Sequence, residues 1–294
     1  MNVILFLKML PLGLTKMNRL NKYIILLVVL LSSTLIQGCS SEKNKKEVKI
    51  KTKKNTIPDI NFSIVNTYPH DKNSFTEGLF MHNGLFFEST GSPSHLPKTK
   101  SAFGILSLET GEIDIKKELD KRQYFGEGIT VLHDKVYQLT YKRQVCFVYD
   151  LKSFKELRTF NYETEEGWGM TNDGIHLIMS DGSYNLYFRD PVTFNIVKKI
   201  PVTENKTAVF NLNELEYVNG FIYANIWMTN TIVKIDAQTG YVVGKIDVSS
   251  LRDLALIKNP QALETNGIAY NIESNTLYVT GKMWPKMFEI KLAE

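Results

Sequence analysis

The sequence predicts an all-β fold, and three observations predict it. Five related stretches recur along the 294 residues, at 75–91 (FTEGLFMHNGLFFESTG), 125–141 (FGEGITVLHDKVYQLTY), 166–182 (EGWGMTNDGIHLIMSDG), 212–227 (LNELEYVNGFIYANIW) and 265–281 (TNGIAYNIESNTLYVTG). Their spacing, about 40–55 residues, falls in the range of solenoids and propellers. Each stretch holds a turn between two apolar runs: His82-Asn83-Gly84, His133-Asp134, Asn172-Asp173-Gly174, Val218-Asn219-Gly220 and Glu273-Ser274-Asn275. Asn-Gly and Asp-Gly accept positive φ, which tight hairpins require. Finally, the units share a four-strand pattern that the last one leaves incomplete.

The elements follow in order. Residues 60–68 read as a strand stopped before Pro69. After each hairpin come a third strand (102–108, 144–149, 185–188, 231–235, 287–292) and, in the first four units, a polar link and a fourth strand (112–119, 155–162, 196–202, 241–248). The fifth unit has three strands before the chain ends. The orphan strand at 60–68 supplies the fourth, and pairing it with the last unit hides the open edges. The prediction is therefore a five-bladed β-propeller of four-stranded blades, closed by its N-terminal strand. A sandwich or barrel has no need of five similar units. A short helix is expected at 251–257, in an insertion before the fifth unit.

The formal charge of +4 resides in the N-terminal region: residues 1–38 carry Lys8, Lys16, Arg19 and Lys22 and no acid, and without them basic and acidic residues balance at 31 each. No basic patch argues for nucleic acid. Lys22, the apolar run 23–31 and Leu35-Ile36-Gln37-Gly38-Cys39 form a targeting segment, too short for a confident span. Its ending resembles a bacterial lipobox, which implies lipidation of Cys39. Met17 is a second good start. The expected organisation is a lipoprotein signal peptide (1–38), a flexible polar tether (39–58) and a catalytic propeller (59–294). The expected location is the cell envelope, exported and facing the periplasm or the surface; because Ser40 is not an inner-membrane retention signal, the outer membrane is favoured in a Gram-negative cell. Cys146, in an apolar strand, is expected to be a buried inert thiol.

Glu77, Glu127, Trp168, Glu214 and Asn266 lie at or near equivalent points of the five units, where propeller loops converge on one mouth of the channel. Phe75, Phe125, Tyr141, Trp168, Trp227 and Lys282 lie nearby in the repeats. Each aromatic is as well explained by packing between blades as by a pocket. Glu127, between two glycines at a strand head, is harder to bury without a partner. His70, His82, His95, His133 and His176 form no close-spaced ligand set, and no Ser/His/Asp set or phosphate-binding helix entry is present.

Residues 68–91, 124–149, 167–194, 212–227 and 266–288 closely resemble the plant-type glutaminyl cyclases, the glutaminyl-peptide cyclotransferases of plants and bacteria. The resemblance implies a five-bladed propeller that converts N-terminal glutamine to pyroglutamate and releases ammonia. It places the family's essential acid on Glu127, its pocket aromatics on Phe75, Phe125, Trp168 and Trp227, its substrate-binding asparagine on Asn213 and its lysine on Lys282. Two positions depart: Glu77 stands where plant members commonly have glutamine, and Tyr141 where tryptophan is usual. In the implied chemistry the α-amine closes on its own carboxamide carbon, one carboxylate serves as base and then acid, and Lys282 stabilises oxyanion charge or, as favoured here, holds Glu77 or Glu214 in an ion pair. The scheme requires no metal or cofactor and leaves room for a structural ion in the channel. The expected partners are peptides and proteins beginning with glutamine and, through lipid on Cys39, a membrane; a monomer is expected. A non-catalytic binding propeller would have no need of Glu127 or Asn213, and a lactonase-like hydrolase would lose activity to a chelator where the cyclase would not.

Overall fold

The structure, a computed structural model, describes residues 56–293. The expected signal peptide, Cys39 and nearly all of the expected tether lie outside the described residues. Strand β1 (Phe62–Pro69) precedes the first blade, β2 (Thr76–His82), β3 (Leu85–Thr90), β4 (Ala102–Leu106) and β5 (Ile113–Glu118). The second blade is β6 (Gly126–Leu132), β7 (Lys135–Thr140), β8 (Val145–Asp150) and β9 (Glu156–Asn161). The third is β10 (Met170–Asn172), β11 (Leu177–Met179), β12 (Asn185–Arg189) and β13 (Ile196–Pro201), followed by a small hairpin, β14 (Thr203–Glu204) and β15 (Thr207–Ala208). The fourth is β16 (Leu212–Val218), β17 (Phe221–Ile226), β18 (Thr231–Asp236) and β19 (Val242–Asp247). Helix α1 (Ser249–Lys258) leads to the fifth, β20 (Thr265–Asn271), β21 (Thr276–Gly281) and β22 (Lys286–Leu292).

Each blade is an antiparallel meander, and the fifth runs β1-β22-β21-β20, so the propeller closes as the sequence predicts. Strand β1 pairs with β22 from Phe62 opposite Leu292 to Pro69 opposite Lys286, with one bulge between Ile64 and Asn66. A buried charge cluster reinforces this seam. His70 Nδ1 lies 2.8 Å from the Trp284 carbonyl, and Nε2 lies 3.1 Å from both Glu88 oxygens. Two acceptors on opposite sides require both ring nitrogens to donate. Burial alone would lower the His70 pKa, but the Glu88 carboxylate outweighs it and raises the pKa.

Burial follows position in the blade. Every residue of β6 is buried, whereas β9, at the rim, is exposed at nearly every position. The apolar core is five separate cores, each between two adjacent blades. Phe87 and Phe103 of the first blade meet Ile129 and Val136 of the second. Leu139 and Cys146 meet Met170 and Tyr187; Leu186 and Phe188 meet Leu215 and Ile222. Ile232 and Ile246 meet Ile268 and Phe288; Ala269 and Tyr278 meet Leu79 and Phe86. Cys146 is fully buried and its thiol pKa is pushed up by that burial, as expected of an inert side chain.

The hairpins carry the backbone their residues foretell: φ is 49° and 76° at Asn83-Gly84 and 48° and 88° at Asn219-Gly220. The expected helix is longer at both ends, Ser249–Lys258, and buries Leu251 and Ala255 one turn apart between the last two blades. The β14–β15 hairpin is not foreseen. Its turn is Asn205-Lys206, at φ 49° and 72°; Asn205 is a turn residue, but it is followed by lysine and not by the glycine that marks an Asn-Gly hairpin. Just ahead of β1, Lys245 N donates to the Pro58 carbonyl and Ile60 N to the Lys245 carbonyl, so the chain already lies along β19. Deletion through Thr56 is expected to leave the melting temperature unchanged, whereas deletion through Tyr68 removes β1 and destabilises the whole ring. Equal melting of the two truncated proteins, followed by circular dichroism, would refute this account of closure.

Candidate active site

In four blades the pairing of the first two strands slips at the same place: between Thr76 and Gly78, Gly126 and Ile129, Leu212 and Leu215, and Thr265 and Ile268. The slipped residues include Glu77, Glu127, Asn213 and Asn266. A bulge re-aims a side chain out of the alternating pattern, and here it frees polar residues of inner strands from the apolar seams. The third blade has Trp168-Gly169 at this place. The inner strands touch closely: a Cβ on Gly128 would lie 2.3 Å from Met170 N, and one on Gly169 would lie 2.1 Å from the Asn213 carbonyl oxygen. Glycine is needed at both, because no side chain fits between those backbones.

At one mouth of the ring this arrangement leaves a cleft of about 700 Å³. Of the residues that the sequence places at the channel mouth or in the pocket, nine line it, and Glu214 and Asn266 do not. Glu77, Glu127, Asn213 and Lys282 form its buried floor. Phe75, Phe125 and Tyr141 make one wall, with ring centroids 6.0 Å apart at each step. Trp168 and Trp227 make the other, edge to face at 5.5 Å and 80°.

The floor is electrostatically divided. Lys282 Nζ lies 2.9 Å from Glu77 Oε1 and 3.6 Å from Glu264 Oε1, and sits 4.8 Å above the Phe75 ring. Asn266 Nδ2 donates to Glu77 Oε2 at 2.9 Å. Burial raises the Glu77 pKa, Lys282 pulls it back, and it settles at about 7. Burial disfavours the Lys282 ammonium, but Glu77, Glu127 and Glu264 more than offset this and raise its pKa. Glu127 is as buried as Glu77, yet no hydrogen bond from the described residues supports its carboxylate. Burial, then the Glu77 charge, push its pKa well above the ordinary value; Lys282 opposes them. Asn213 is 3% exposed and its Oδ1 has no partner among the described residues. A buried carboxyl that readily holds a proton thus shares the floor with an unused acceptor, the combination that suits an amine or carboxamide ligand.

Several contributors carry no signal in the sequence. Glu264 accepts from Trp227 Nε1 at 2.9 Å, and Glu166 accepts from Trp168 Nε1 at 2.9 Å, so each indole is held by a carboxylate. Asp181 also lines the cleft. Conversely, Glu214 does not line it. Its oxygens accept from Leu79 N at 3.2 Å and Ile268 N at 2.7 Å, tying the fourth blade to the first and fifth within the ring. The expectation that Lys282 pairs with Glu77 or Glu214 is met at Glu77; its second partner is Glu264. Among the described residues no three His, Cys, Asp or Glu side chains converge to hold a metal ion.

Residues 30–292 match the family profile described as glutamine cyclotransferase. The glutaminyl-peptide cyclotransferase of Arabidopsis thaliana is 36% identical over 233 residues, covering 79% of this chain and 71% of that protein. Among solved structures, the glutaminyl cyclase of Myxococcus xanthus matches with a TM-score of 0.73 at 36% identity, over 81% of this chain and 98% of that one.

The Glu77–Lys282 pair yields a stability test. Glu77 has a folded-state pKa of about 7, above its ordinary 4.5. Its contribution is therefore full below about 4.5 and falls as pH rises through 7. Lys282→Met removes the opposing charge, so Glu77 is buried unpaired, at a cost of about 3–5 kcal/mol. The deficit relative to the wild type is expected to be larger at pH 9 than at pH 6, and Glu77→Gln in the same chain to recover most of it. Urea unfolding of the three proteins at both pH values measures this; a double variant no more stable than Lys282→Met would refute the pairing.

Proposed function

The chain belongs to the glutamine cyclotransferase family, and with that as premise we propose that Glu127 moves the proton as the enzyme closes N-terminal glutamine into pyroglutamate with release of ammonia. The observation that carries the assignment is the Glu127 carboxyl: buried in the floor of the cleft, unsupported by any hydrogen bond from the described residues, with its pKa held high by burial and by Glu77.

The reaction makes a bond from the α-nitrogen to the side-chain carboxamide carbon and breaks that carbon's bond to the amide nitrogen. The amine loses a proton and the leaving nitrogen gains one. Both reacting groups belong to one residue, so the enzyme's task is to hold the bent conformer and carry the proton. A carboxyl with a raised pKa is matched to this double duty: it takes the proton from the attacking amine and returns it to the departing ammonia. Phe75, Phe125, Tyr141, Trp168 and Trp227 wall the methylenes and exclude water. Asn213 Oδ1 accepts an N–H of the substrate. Lys282 keeps Glu77 paired, so that the neighbouring carboxylate does not lift the Glu127 pKa further.

Glu127→Gln keeps the shape and is expected to lower kcat roughly 10²–10⁴-fold while peptide binding survives. Glu77→Gln is expected to be far milder. It removes a negative charge beside Glu127, lowers the Glu127 pKa, and moves the acid limb of the rate profile to lower pH. Ammonia release from a glutaminyl peptide, followed against pH, tests both. Loss of activity in Glu77→Gln with retention in Glu127→Gln would reverse the assignment.

The reading extends to location. The apolar run 23–31, Gly38-Cys39 and the polar stretch after it support an exported lipoprotein, anchored to the cell envelope by lipid on Cys39 and acting on exported proteins and peptides; the outer membrane is the favoured site in a Gram-negative cell. Cys39→Ala is expected to move the protein from the membrane fraction to the soluble one. Retention on membranes after a salt wash would rule the anchor out.

A further inference from the structure

The cleft is acidic well beyond what proton transfer needs. Glu165, exposed, and Glu166, Asp181 and Glu264, half-buried, line its outer part above the buried floor, and Lys282, on the floor, is the single cation in the lining among the described residues. Lys282 is already engaged by Glu77 and Glu264. Outside the lining, exposed Lys142 lies 3.3 Å from Glu166 and offsets part of the rim charge. Asp181 is fixed in place, accepting from Tyr187 Oη at 2.8 Å and Ser183 N at 3.0 Å. Glu165 is exposed and makes no ion pair with the described residues. The charge is therefore graded: a neutralised floor beneath a negative mouth.

A second observation shows that this is where a ligand enters. Asn213 lines the same cleft, is 3% exposed, and carries an Oδ1 with no partner among the described residues. An orphan acceptor at that depth is satisfied when a donor comes down from the mouth. Given the function proposed above, on which this inference rests, the first residue of the substrate occupies the floor, with its amine at Glu127. Its chain can leave only through the mouth, so the second residue lies among the rim carboxylates.

We infer that the mouth of the cleft is a cation-preferring subsite for the second residue of the substrate, so that glutaminyl peptides continuing with lysine or arginine react ahead of those continuing with aspartate or glutamate. The rim charges are partly solvated, so the preference is moderate, sensitive to salt, and expressed mainly in KM.

The test uses the full-length protein with three C-terminally amidated peptides that differ only in a lysine, alanine or glutamate after the glutamine. At low ionic strength kcat/KM is expected to be about fivefold or more higher for lysine than for glutamate, with alanine between, and the ratio to shrink toward one at about 1 M salt. Glu165→Gln combined with Asp181→Asn is expected to reduce the lysine-to-glutamate ratio; because the ratio is taken within one protein sample, partial misfolding cancels. Binding of the same peptides is followed in parallel by quenching of tryptophan fluorescence. Ammonia release at equal kcat/KM from all three peptides overturns the subsite and leaves the cyclase reading intact. Absence of ammonia from all three, with the lysine peptide still bound more tightly, overturns the cyclase reading and leaves the cation preference standing. Equal binding of all three overturns the subsite whether or not ammonia appears.

Discussion

The site depends on how closely the inner strands approach one another around the axis. Gly128 lies against the backbone at Met170, and Gly169 against the backbone at Asn213. Contacts this short leave no room for an apolar plug, so the ring is joined by polar groups at its centre and by apolar seams between blades. Glu214 accepts backbone N–H groups from the first and fifth blades, and Glu216 accepts Tyr270 N and Thr171 Oγ1 from the fifth and third. A buried backbone donor without a partner costs on the order of 1–3 kcal/mol, so these two glutamates serve where strand pairing across the axis is geometrically impossible.

The same geometry explains why one residue type has three different outcomes at four positions. Glu77, Glu127, Glu214 and Glu216 are all buried on inner strands. Burial is the largest cause of the raised pKa at each. What separates them is the partner. Glu214 and Glu216 have backbone donors and act as fasteners, with the Glu216 pKa still pushed up to about 8. Glu77 has an ammonium. Glu127 has neither among the described residues, although it lines the cleft beside Glu77.

The fold was largely legible because its signals are local. Asn83-Gly84 and Asn219-Gly220 announce hairpins through their own backbone preferences, and the missing fourth strand of the last unit pointed to β1. The nine lining residues were legible through repeat position and through resemblance to a known family, which carries information no single periodicity holds. Glu264, Glu166 and Asp181 were not legible. Glu264 sits in the stretch joining α1 to β20, with no motif around it, and its partners Trp227 and Lys282 come from two different blades. Glu214 misled for the opposite reason: it is a carboxylate one residue past the repeat position of Glu77 and Glu127, which, counted from the last regular pair at Leu212, belongs to Asn213, and Asn213 rather than Glu214 lines the cleft.

Glu264 also shows how the wall and floor of the cleft form one electrostatic unit. The same oxygen, Oε1, accepts the Trp227 indole N–H at 2.9 Å and stands 3.6 Å from Lys282 Nζ. Lys282 in turn holds Glu77, and both Lys282 and Glu77 act on the proton affinity of Glu127. Trp227 is 36% exposed, so the outer end of this chain meets solvent. In a low-dielectric floor, a shift of Glu264 away from Lys282 strengthens the hold of Lys282 on the remaining carboxylates, and lowers their proton affinity. The aromatic wall therefore does more than exclude water: through one shared carboxylate it is continuous with the charges that govern Glu127.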